Sequence, residues 1–496
     1  HVLVNTPNSH KVLVLEPDPL MLLACLGQTD YRPFLDIKKL FFLPPDQNML
    51  VDAVRQAELQ FLFGQINLRL DKPSQQASPE YSRWGRLARE TLENFSVELA
   101  TLRLRQDIMV GNELGNFQRA MADGGIDDLE GSAQGLTAVI LGAGPSLGRF
   151  GPELAANPGN VLYATALQTL PAVQAVGLTP HFAMAIDYSD GMLAVFDRLD
   201  RQWASTIPLL YSTKLKPEVL ARYPGPTIPF WTMGGLGTFV FKDRHKVVDA
   251  GGNVSVTLLR FLAWCGARRV FLAGQDFAWK GEATHAAGHH ASGDDHRIVT
   301  THGVTLKNAT GETIHSTLSY VTALRDMEKD IRELGLEVFN LYGDGAVITG
   351  STPMDVAEAR NLSLLESAPG AMERFVQTLE RAHSPLPTPR FQSRSGQWGA
   401  SLRAVVKRLK RLFKHPERNR KEIVGVFQQV HAFLRQDPLY LPYLYNEIMD
   451  VAGLLHKGRS FDPRLLVDLK AILKRVQTKV RHVDQCLGAS GERVAA

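Results

Sequence analysis

The chain has 496 residues, with 55 Lys and Arg against 51 Asp and Glu, 15 His and 3 Cys. At about 150 residues per domain, this length predicts two or three domains. Apolar residues make up 44% and charged residues 21% of the chain, which excludes a disordered, collagen-like or disulfide-stapled protein. The three cysteines are scattered without a CxxC spacing, so we expect neither a zinc ribbon nor disulfides, and a reducing compartment.

Charge is unevenly distributed along the chain. Residues 371–496 carry 23 Lys and Arg and 11 Asp and Glu, a net charge of +12, whereas residues 1–370 carry 32 and 40, a net charge of −8. This asymmetry favours an acidic partner surface, a nucleic acid, or contact between the two parts of the chain. The longest apolar run, near residues 20–26, is far shorter than the about 20 residues that a bilayer needs, so no stable membrane insertion is expected.

The N-terminal part predicts a small α/β module. Residues 11–16 and 39–43 are short apolar runs that end in Pro-containing turns, as strands do, and a helix is expected to begin at residues 21–27. Residues 80–120 have helical spacing, with one apolar stripe formed by Leu87, Leu92, Phe95, Leu99 and Leu102. We assign residues 1–115 to this module.

The central part, residues 116–350, alternates strands and helices. Helical segments such as residues 166–176 and 254–265 alternate with five apolar, strand-like runs at residues 137–141, 160–165, 181–186, 207–212 and 269–273. Because parallel strands are joined by crossover helices, the pattern predicts a Rossmann-like α/β domain.

The C-terminal part, residues 351–496, predicts helices. Residues 351–380 have a helical pattern, residues 383–398 are a Pro-, Ser- and Arg-rich linker, and residues 399–482 show the periodicity of a helical bundle. The basic helix at residues 403–421 has only Phe413 for base stacking, so we expect no nucleic acid partner there. A solvated face, or a docking surface for an acidic protein, is the interpretation we favour.

The Gly-rich segment VILGAGPSLGRF at residues 139–150 passes from a strand into a predicted helix. Glycines let backbone amides approach a phosphate, and a helix start adds a favourable dipole. Ser146 could cap the helix or donate to an anion. The segment is neither a dinucleotide fingerprint, because residue 147 is Leu, nor a Walker A motif. A tight turn without a ligand remains the alternative.

Polar residues also follow two other predicted strands. Asp187 comes at the carboxyl end of a strand, where open α/β sheets bind ligands, although Asp190 in the same segment could simply cap a helix. Gln275 and Asp276 follow residues 269–273, and His285 comes soon after. A neutral imidazole is a suitable general base, but a hydrogen-bonded loop residue is an equal alternative for His285.

Four more histidines (His289, His290, His296 and His302) follow without the spacing of a zinc motif, so we expect no metal site there. Tyr342 precedes a Gly-Asp-Gly turn and could reach a phosphate, although a surface turn is the simpler interpretation.

Taken together, several segments resemble the Maf (motility-associated factor) family, whose central domain is shared with an archaeal 6-hydroxymethylpterin pyrophosphokinase family. The resemblance covers roughly residues 135–350 and is carried by VILGAGPSL, ATALQTL, GLTPHFAMAIDYSD, GGNVSV and VFLAGQDFAWKGEATHAAG. It implies a GT-A/sialyltransferase-like central domain, and a cytoplasmic enzyme that moves a nonulosonic acid, of pseudaminic or legionaminic type, from a CMP-sugar to Ser or Thr of flagellin.

The resemblance also implies site residues. The loop is similar to the GNGPSL-type loop of bacterial sialyltransferases, although Ala143 stands where those enzymes often have Asn. The CMP moiety would be held by Gly142, Gly144, Pro145, Ser146, Leu147, Thr165 and Gln275. Catalysis would fall to His285, Asp187 and Asp276, while amides at residues 144–147 and the hydroxyls of Tyr320 or Tyr342 would stabilise the phosphate.

Three alternatives stay open. A pyrophosphokinase acting on a pterin alcohol would need Mg²⁺, held by Asp187, Asp190 and Asp276. A non-catalytic flagellin-binding protein and a UDP- or GDP-sugar transferase are the others, although the D-x-D of the latter is missing. No cofactor beyond the donor substrate is firmly expected, and self-association is left open.

Overall fold

A computed structural model describes residues 2–7, 10–281, 283–291, 303–457 and 463–488. The described α-helices are Val2–Asn5, Pro19–Gln28, Arg32–Asp36, Gln47–Gln56, Glu58–Phe63, Lys72–Ala77, Pro79–Asp123, Leu147–Ala156, Leu170–Ala175, Arg201–Ala204, Pro217–Arg222, Val254–Trp264, Leu318–Leu334, Val356–Asn361, Ala371–Ala382, Ser395–Leu412, Arg420–Leu434, Tyr445–Lys457 and Pro463–Gly488. Short 3₁₀ segments lie at Asp127–Leu129, Leu167–Thr169 and Asp190–Asp197, and a π-helical turn at Gly237–Phe241.

Thirteen strands are described. In chain order they are β1 (Val12–Leu15), β2 (Leu40–Leu43), β3 (Thr137–Leu141), β4 (Leu162–Ala166), β5 (Phe182–Ala185), β6 (Leu209–Ser212), β7 (Thr227–Thr232), β8 (Val247–Val248), β9 (Arg269–Ala273), β10 (Gly303–Lys307), β11 (Thr313–Thr317), β12 (Glu337–Leu341) and β13 (Thr352–Met354). Strands β1 and β2 form a parallel pair, and β10 and β11 an antiparallel hairpin.

The remaining nine strands form one sheet in the order β13-β12-β9-β3-β4-β5-β6-β7-β8. All of its pairings are parallel. From β3 the chain first builds outward through β4 to β8, then returns to add β9 on the other side of β3. The strand order therefore reverses between β3 and β9, and ligands of such sheets bind outside the carboxyl ends of the strands at this switch point.

Strand β3 is buried along its whole length, and its alternate residues feed two separate cores. Ala138 and Ile140 pack with the apolar residues of helices Val254–Trp264 and Leu318–Leu334. Val139 and Leu141 pack with helix Leu147–Ala156 on the opposite face. A sheet covered by helices on both faces explains why its strands are continuous apolar runs.

The predicted Rossmann-like α/β architecture is confirmed. All five strands predicted in the central part are present, two of them with the predicted bounds (Thr137–Leu141 and Arg269–Ala273). The prediction that residues 351–380 are helical throughout is wrong at its start, since Thr352–Met354 pairs with β12 as strand β13. The sequence analysis also missed strand β7, where Pro229 interrupts the apolar run.

The described residues divide into two compact units. One contains residues 1–106, 402–435 and 445–476, and the other contains residues 107–401, 436–444 and 477–496. This division differs from the three consecutive segments predicted from the sequence. In the first unit, C-terminal helix Tyr445–Lys457 packs against Glu58–Phe63, where the Tyr445 hydroxyl donates to Glu58 Oε1 at 2.6 Å.

The second unit contains the nine-stranded sheet. Its helical residues 107–123 lie against the loops that follow β5 and β6. Asn112 Nδ2 donates to the carbonyl oxygens of Tyr188 and Lys214, and Asn116 Nδ2 to those of Thr213 and Leu215. This helix therefore covers the carboxyl edge of the sheet at β5 and β6, away from the switch point between β3 and β9.

Among the described residues, no helix combines the length and the apolar character that crossing a membrane requires.

Candidate functional site

The Gly-rich loop after β3 is bonded to the loop after β9. The Gly142 amide donates to the Ala273 carbonyl at 2.7 Å, and the Gly144 amide donates to the Gly274 carbonyl at 2.9 Å. A Cβ on Gly142 would lie 2.2 Å from Gln275 Nε2, and one on Gly144 would lie 2.2 Å from Asp276 Oδ2. Only glycine fits at both positions, because the two loops approach each other so closely. Packing alone therefore explains these glycines, without a bound ligand.

The loop amides are engaged with protein acceptors. The Ser146 amide donates to Asp276 Oδ2 at 2.8 Å, and the Leu147 amide donates to the Gly144 carbonyl at 3.0 Å. Pro145 has no amide hydrogen. The expected phosphate donors at residues 144–147 are thus already bonded, because the loop folds back on Asp276 and on its own turn. Ser146 occupies the N-cap of helix Leu147–Ala156, but its hydroxyl does not cap the helix.

Asp276 is the most buried acid at this edge of the sheet near β3 and β9, with 7% of its surface exposed. Burial raises the pKa of Asp276 to about 6, assisted by the nearby charge of Asp344 and opposed by hydrogen bonding from Ser146. Gln275 beside it is equally buried, and its Nε2 has no hydrogen-bond partner within the described ranges. A buried donor without an acceptor costs about 1–3 kcal/mol, so an ordered water or another bound group is expected to satisfy it.

A cavity of about 280 Å³ opens above these loops. Three predicted site residues line it, Pro145, Ser146 and Asp276. The other lining residues are Arg149, Ala278, Trp279, Lys280, Gly343, Asp344 and Gly345. Trp279 is 2% exposed, and its indole N–H has no acceptor within the part of the chain that the structure describes. Arg149, Trp279 and Lys280 were not predicted from the sequence, although Arg149 lies in the Gly-rich segment and the other two lie in VFLAGQDFAWKGEATHAAG.

The turn after β12 closes one side of this cavity. A Cβ on Gly343 would lie 2.4 Å from Ser146 Cβ, and one on Gly345 would lie 2.7 Å from the Asp276 carbonyl oxygen. The Ala346 amide donates to that same oxygen at 2.8 Å. The cavity is therefore assembled from three loops that follow three adjacent strands of the sheet.

His285 lies on a loop that is bonded to the Gly-rich segment, through an Ala286 amide that donates to the Ala143 carbonyl at 2.8 Å. His285 Nδ1 lies 2.7 Å from Thr284 Oγ1, and Nε2 lies 3.2 Å from the Tyr320 hydroxyl. Its ring stacks on that of His289 at 4.3 Å. His285 does not itself line the 280 Å³ cavity.

Of the four histidines that follow His285, the structure describes His289 and His290. Burial, with the neighbouring charges of His285 and His290, lowers the pKa of His289 to about 3. Burial also lowers the pKa of His290. Both rings are therefore neutral near pH 7. His296 and His302 lie outside the described residues.

Three predicted nucleotide or phosphate contacts have internal roles. Thr165 is fully buried, and its hydroxyl donates to the Leu141 carbonyl at 2.7 Å. Leu147 is fully buried in the core beneath β3. The Tyr342 hydroxyl accepts from the Ala309 amide at 2.8 Å and donates to the Gly345 carbonyl at 3.1 Å. Each group is buried or hydrogen-bonded within the fold, and its contact with a ligand stays a prediction.

Asp187 lies at the same edge of the sheet but follows β5, two strands from β3, so roughly 10 Å separates the two strand axes. Its Oδ1 accepts the Ser189 amide at 2.8 Å. Asp190 is exposed and forms an ion pair with Lys216. Within the described ranges, no group of three or more His, Cys, Asp or Glu side chains is arranged to hold a metal ion.

Comparisons with known proteins bear on the family and the fold of the chain. Residues 111–282 match the family model described as 6-hydroxymethylpterin diphosphokinase MptE-like. A search of curated protein sequences finds no significant match. A Maf glycosyltransferase structure from Magnetospirillum magneticum is similar, with 14% identity and a TM-score of 0.58, over 100% of this chain and 78% of that chain. Residues 111–282 are therefore similar to the MptE-like family, and the chain has the same fold as the Maf glycosyltransferase structure.

Proposed function

We propose that this protein is a glycosyltransferase that moves a nonulosonic acid from a CMP-sugar to Ser or Thr of flagellin, before export and therefore in the cytoplasm. The observation that carries the proposal is the cavity at the switch point of the sheet, where buried Asp276 adjoins cationic side chains and unpaired donors. The similarity to a Maf glycosyltransferase structure supports it.

The chemistry assigns Asp276 as the general base. The acceptor hydroxyl oxygen attacks the anomeric carbon, the bond from that carbon to the phosphate oxygen breaks, CMP leaves with its electron pair, and the hydroxyl proton passes to the Asp276 carboxylate. With a pKa of about 6, the carboxylate is mostly ionised at neutral pH and still basic enough to accept a proton. The oxocarbenium-like transition state lies next to this negative charge, which stabilises it.

His285 then has a positioning role. Its two ring nitrogens are occupied by Thr284 and Tyr320. It therefore orients the Tyr320 hydroxyl from outside the cavity. His285→Gln would lower kcat by a smaller factor than Asp276→Asn and leave the pH profile in place.

The direct test is transfer from a CMP-nonulosonate to purified flagellin, followed by mass spectrometry. We expect Asp276→Asn to lower kcat by about 10²- to 10⁴-fold, the usual contribution of a general base. Asp243→Asn, at an exposed acid, is the matched control. For the wild type, kcat/KM should fall tenfold per pH unit below about pH 6 and be level above it. Absence of sugar transfer to flagellin from any CMP-sugar would refute the function.

A second candidate is favoured by the description of the matching family model, a 6-hydroxymethylpterin diphosphokinase. It predicts Mg²⁺-dependent binding of ATP, with Asp276 and Asp344 the acids that line the cavity. Thermal stabilisation by CMP but not by ATP with Mg²⁺ would favour the glycosyltransferase, and the reverse would favour the kinase. Repeating both titrations in EDTA separates the metal requirement from the nucleotide.

A further inference from the structure

The engaged amides of the Gly-rich loop raise the question of what holds the donor phosphate. The amides of Gly144, Ser146 and Leu147 all donate to protein oxygens at 2.8–3.0 Å. An anion bound at this edge must therefore be held chiefly by side chains. This reasoning rests on the proposed function only in that the ligand is a nucleotide phosphate.

Two cationic side chains line the cavity, and they differ in their partners. Lys280 Nζ lies 2.7 Å from Glu312 Oε1, so its charge is already paired. Arg149 is exposed, and its guanidinium lies 4.9 Å from the centre of the Phe150 ring. It forms no ion pair with any residue that the structure describes. It lies in the first turn of the ten-residue helix Leu147–Ala156, where the helix dipole also favours an anion. Among the described residues that line the cavity, Arg149 is thus the cationic side chain without an acidic partner.

An independent observation comes from Trp279. Its indole N–H can only donate, and it is buried at the cavity without an acceptor. The Ser146 hydroxyl, also at the cavity wall, adjoins the Asp276 carboxylate but forms no well-aligned hydrogen bond. Donors without acceptors, close to a guanidinium that no described acid pairs, fit an acceptor-rich, negatively charged group.

We propose that Arg149 is the phosphate-binding residue of the site, and that Trp279 supplies a second donor to the same group. The ligand class is a nucleotide carrying a phosphate ester. The planar guanidinium can bind two phosphate oxygens at once, a geometry that Lys cannot reproduce.

The test compares CMP with cytidine by calorimetry, because their difference isolates the phosphate. We expect Arg149→Met to weaken CMP binding by about 10- to 100-fold while cytidine binding stays unchanged. Arg149→Lys should restore only part of the affinity, and Trp279→Phe should weaken CMP binding by a smaller factor. Arg222→Met, at an exposed Arg on helix Pro217–Arg222, is the matched control. Thermal midpoints verify that each variant is folded.

The outcomes separate this inference from the proposed function. Equal CMP affinity in the wild type and in Arg149→Met would overturn the inference and leave the glycosyltransferase standing. If the wild type binds ATP with Mg²⁺ but not CMP, and Arg149→Met loses that binding, the phosphate role is supported while the proposed function fails. Binding of neither nucleotide by the wild type would overturn both.

Discussion

Two buried polar clusters at the carboxyl edge of the same sheet differ in one decisive respect. The cavity cluster (Ser146, Asp276 and Trp279, which line the cavity, and the adjacent Gln275) contains donors without acceptors. The Glu113 cluster (Glu113, Thr213, Lys214 and Leu236) lies near the ends of β6 and β7. There the Thr213 hydroxyl and the Leu236 amide donate to Glu113 at 3.1 and 2.7 Å. Lys214 Nζ donates to the Met233 carbonyl.

Burial raises the pKa of the carboxyl group in both clusters. In the Glu113 cluster the charge of Lys214 opposes this rise, and the same burial lowers the pKa of Lys214. A perturbed carboxyl pKa therefore does not distinguish a site from a structural pair. The two clusters do differ in whether the fold satisfies the surrounding donors, and this difference supports our proposal that Glu113 is structural and that Asp276 belongs to a ligand site.

The largest effect is expected for Glu113→Ala. It leaves Lys214 buried with an uncompensated charge and should lower the free energy of unfolding by about 3–5 kcal/mol. The double variant Glu113→Ala with Lys214→Met removes both charges and should recover part of that loss. Urea unfolding measures the stability, and the folded fraction should keep its specific activity. Loss of activity in folded protein would place Glu113 in the site after all.

Asp276→Asn should show the opposite behaviour, a large loss of activity with a gain in stability. The folded pKa of about 6 lies above the ordinary value of 3.8, so the contribution of Asp276 to wild-type stability is fully present below about pH 4 and is lost as pH rises to about 6. Asp276→Asn lacks this dependence. Its advantage in unfolding free energy should grow over that window to about 3 kcal/mol and then stay level. If the unfolding free energies of the wild type and Asp276→Asn changed with pH in parallel, that result would contradict a buried charge at Asp276.

Gly144→Ala tests whether the loop glycines serve packing. The new Cβ would lie 2.2 Å from Asp276 Oδ2, so the carboxylate must move, at a cost of about 1–3 kcal/mol and with loss of sugar transfer. Gly148→Ala is the matched control, because nothing lies within 4 Å of its Cβ and it is helical. That variant should gain up to about 1 kcal/mol. Similar effects of the two substitutions in thermal unfolding would refute the packing role.

Asp190→Ala should have the smallest effect. Asp190 forms an ion pair with Lys216, and the Asp190 side chain is exposed to solvent. Such exposed pairs contribute about 0–1 kcal/mol to stability. Sugar transfer measured with and without Mg²⁺ should not change. A specific loss of Mg²⁺-dependent turnover would instead return Asp190 to the metal site that the kinase alternative requires.

The local part of the site could be predicted from the sequence. Strands β3 and β9 are continuous apolar runs, and polar residues follow each, so Ser146 and Asp276 were expected at one edge of the sheet. The packing role of the glycines could not be predicted, because it depends on contacts between distant parts of the sequence. Gly144, for example, packs against Asp276, which lies 132 positions away. Arg149 and Trp279 could not be predicted for the same reason, since they are also far apart in the sequence. They matter because both line one cavity, where Arg149 has no acidic partner and the Trp279 indole has no acceptor among the described residues.

The three-loop construction of the cavity also has a consequence for biosynthesis. Its walls come from residues near 145, 276 and 345, and the Ala346 amide fastens the last of them to the Asp276 carbonyl. A nascent chain can complete β3 and β9 on the ribosome and still lack a binding site until β12 and the following turn emerge. If the cavity binds a nucleotide as proposed, capture should therefore begin only after the ribosome has passed about residue 346.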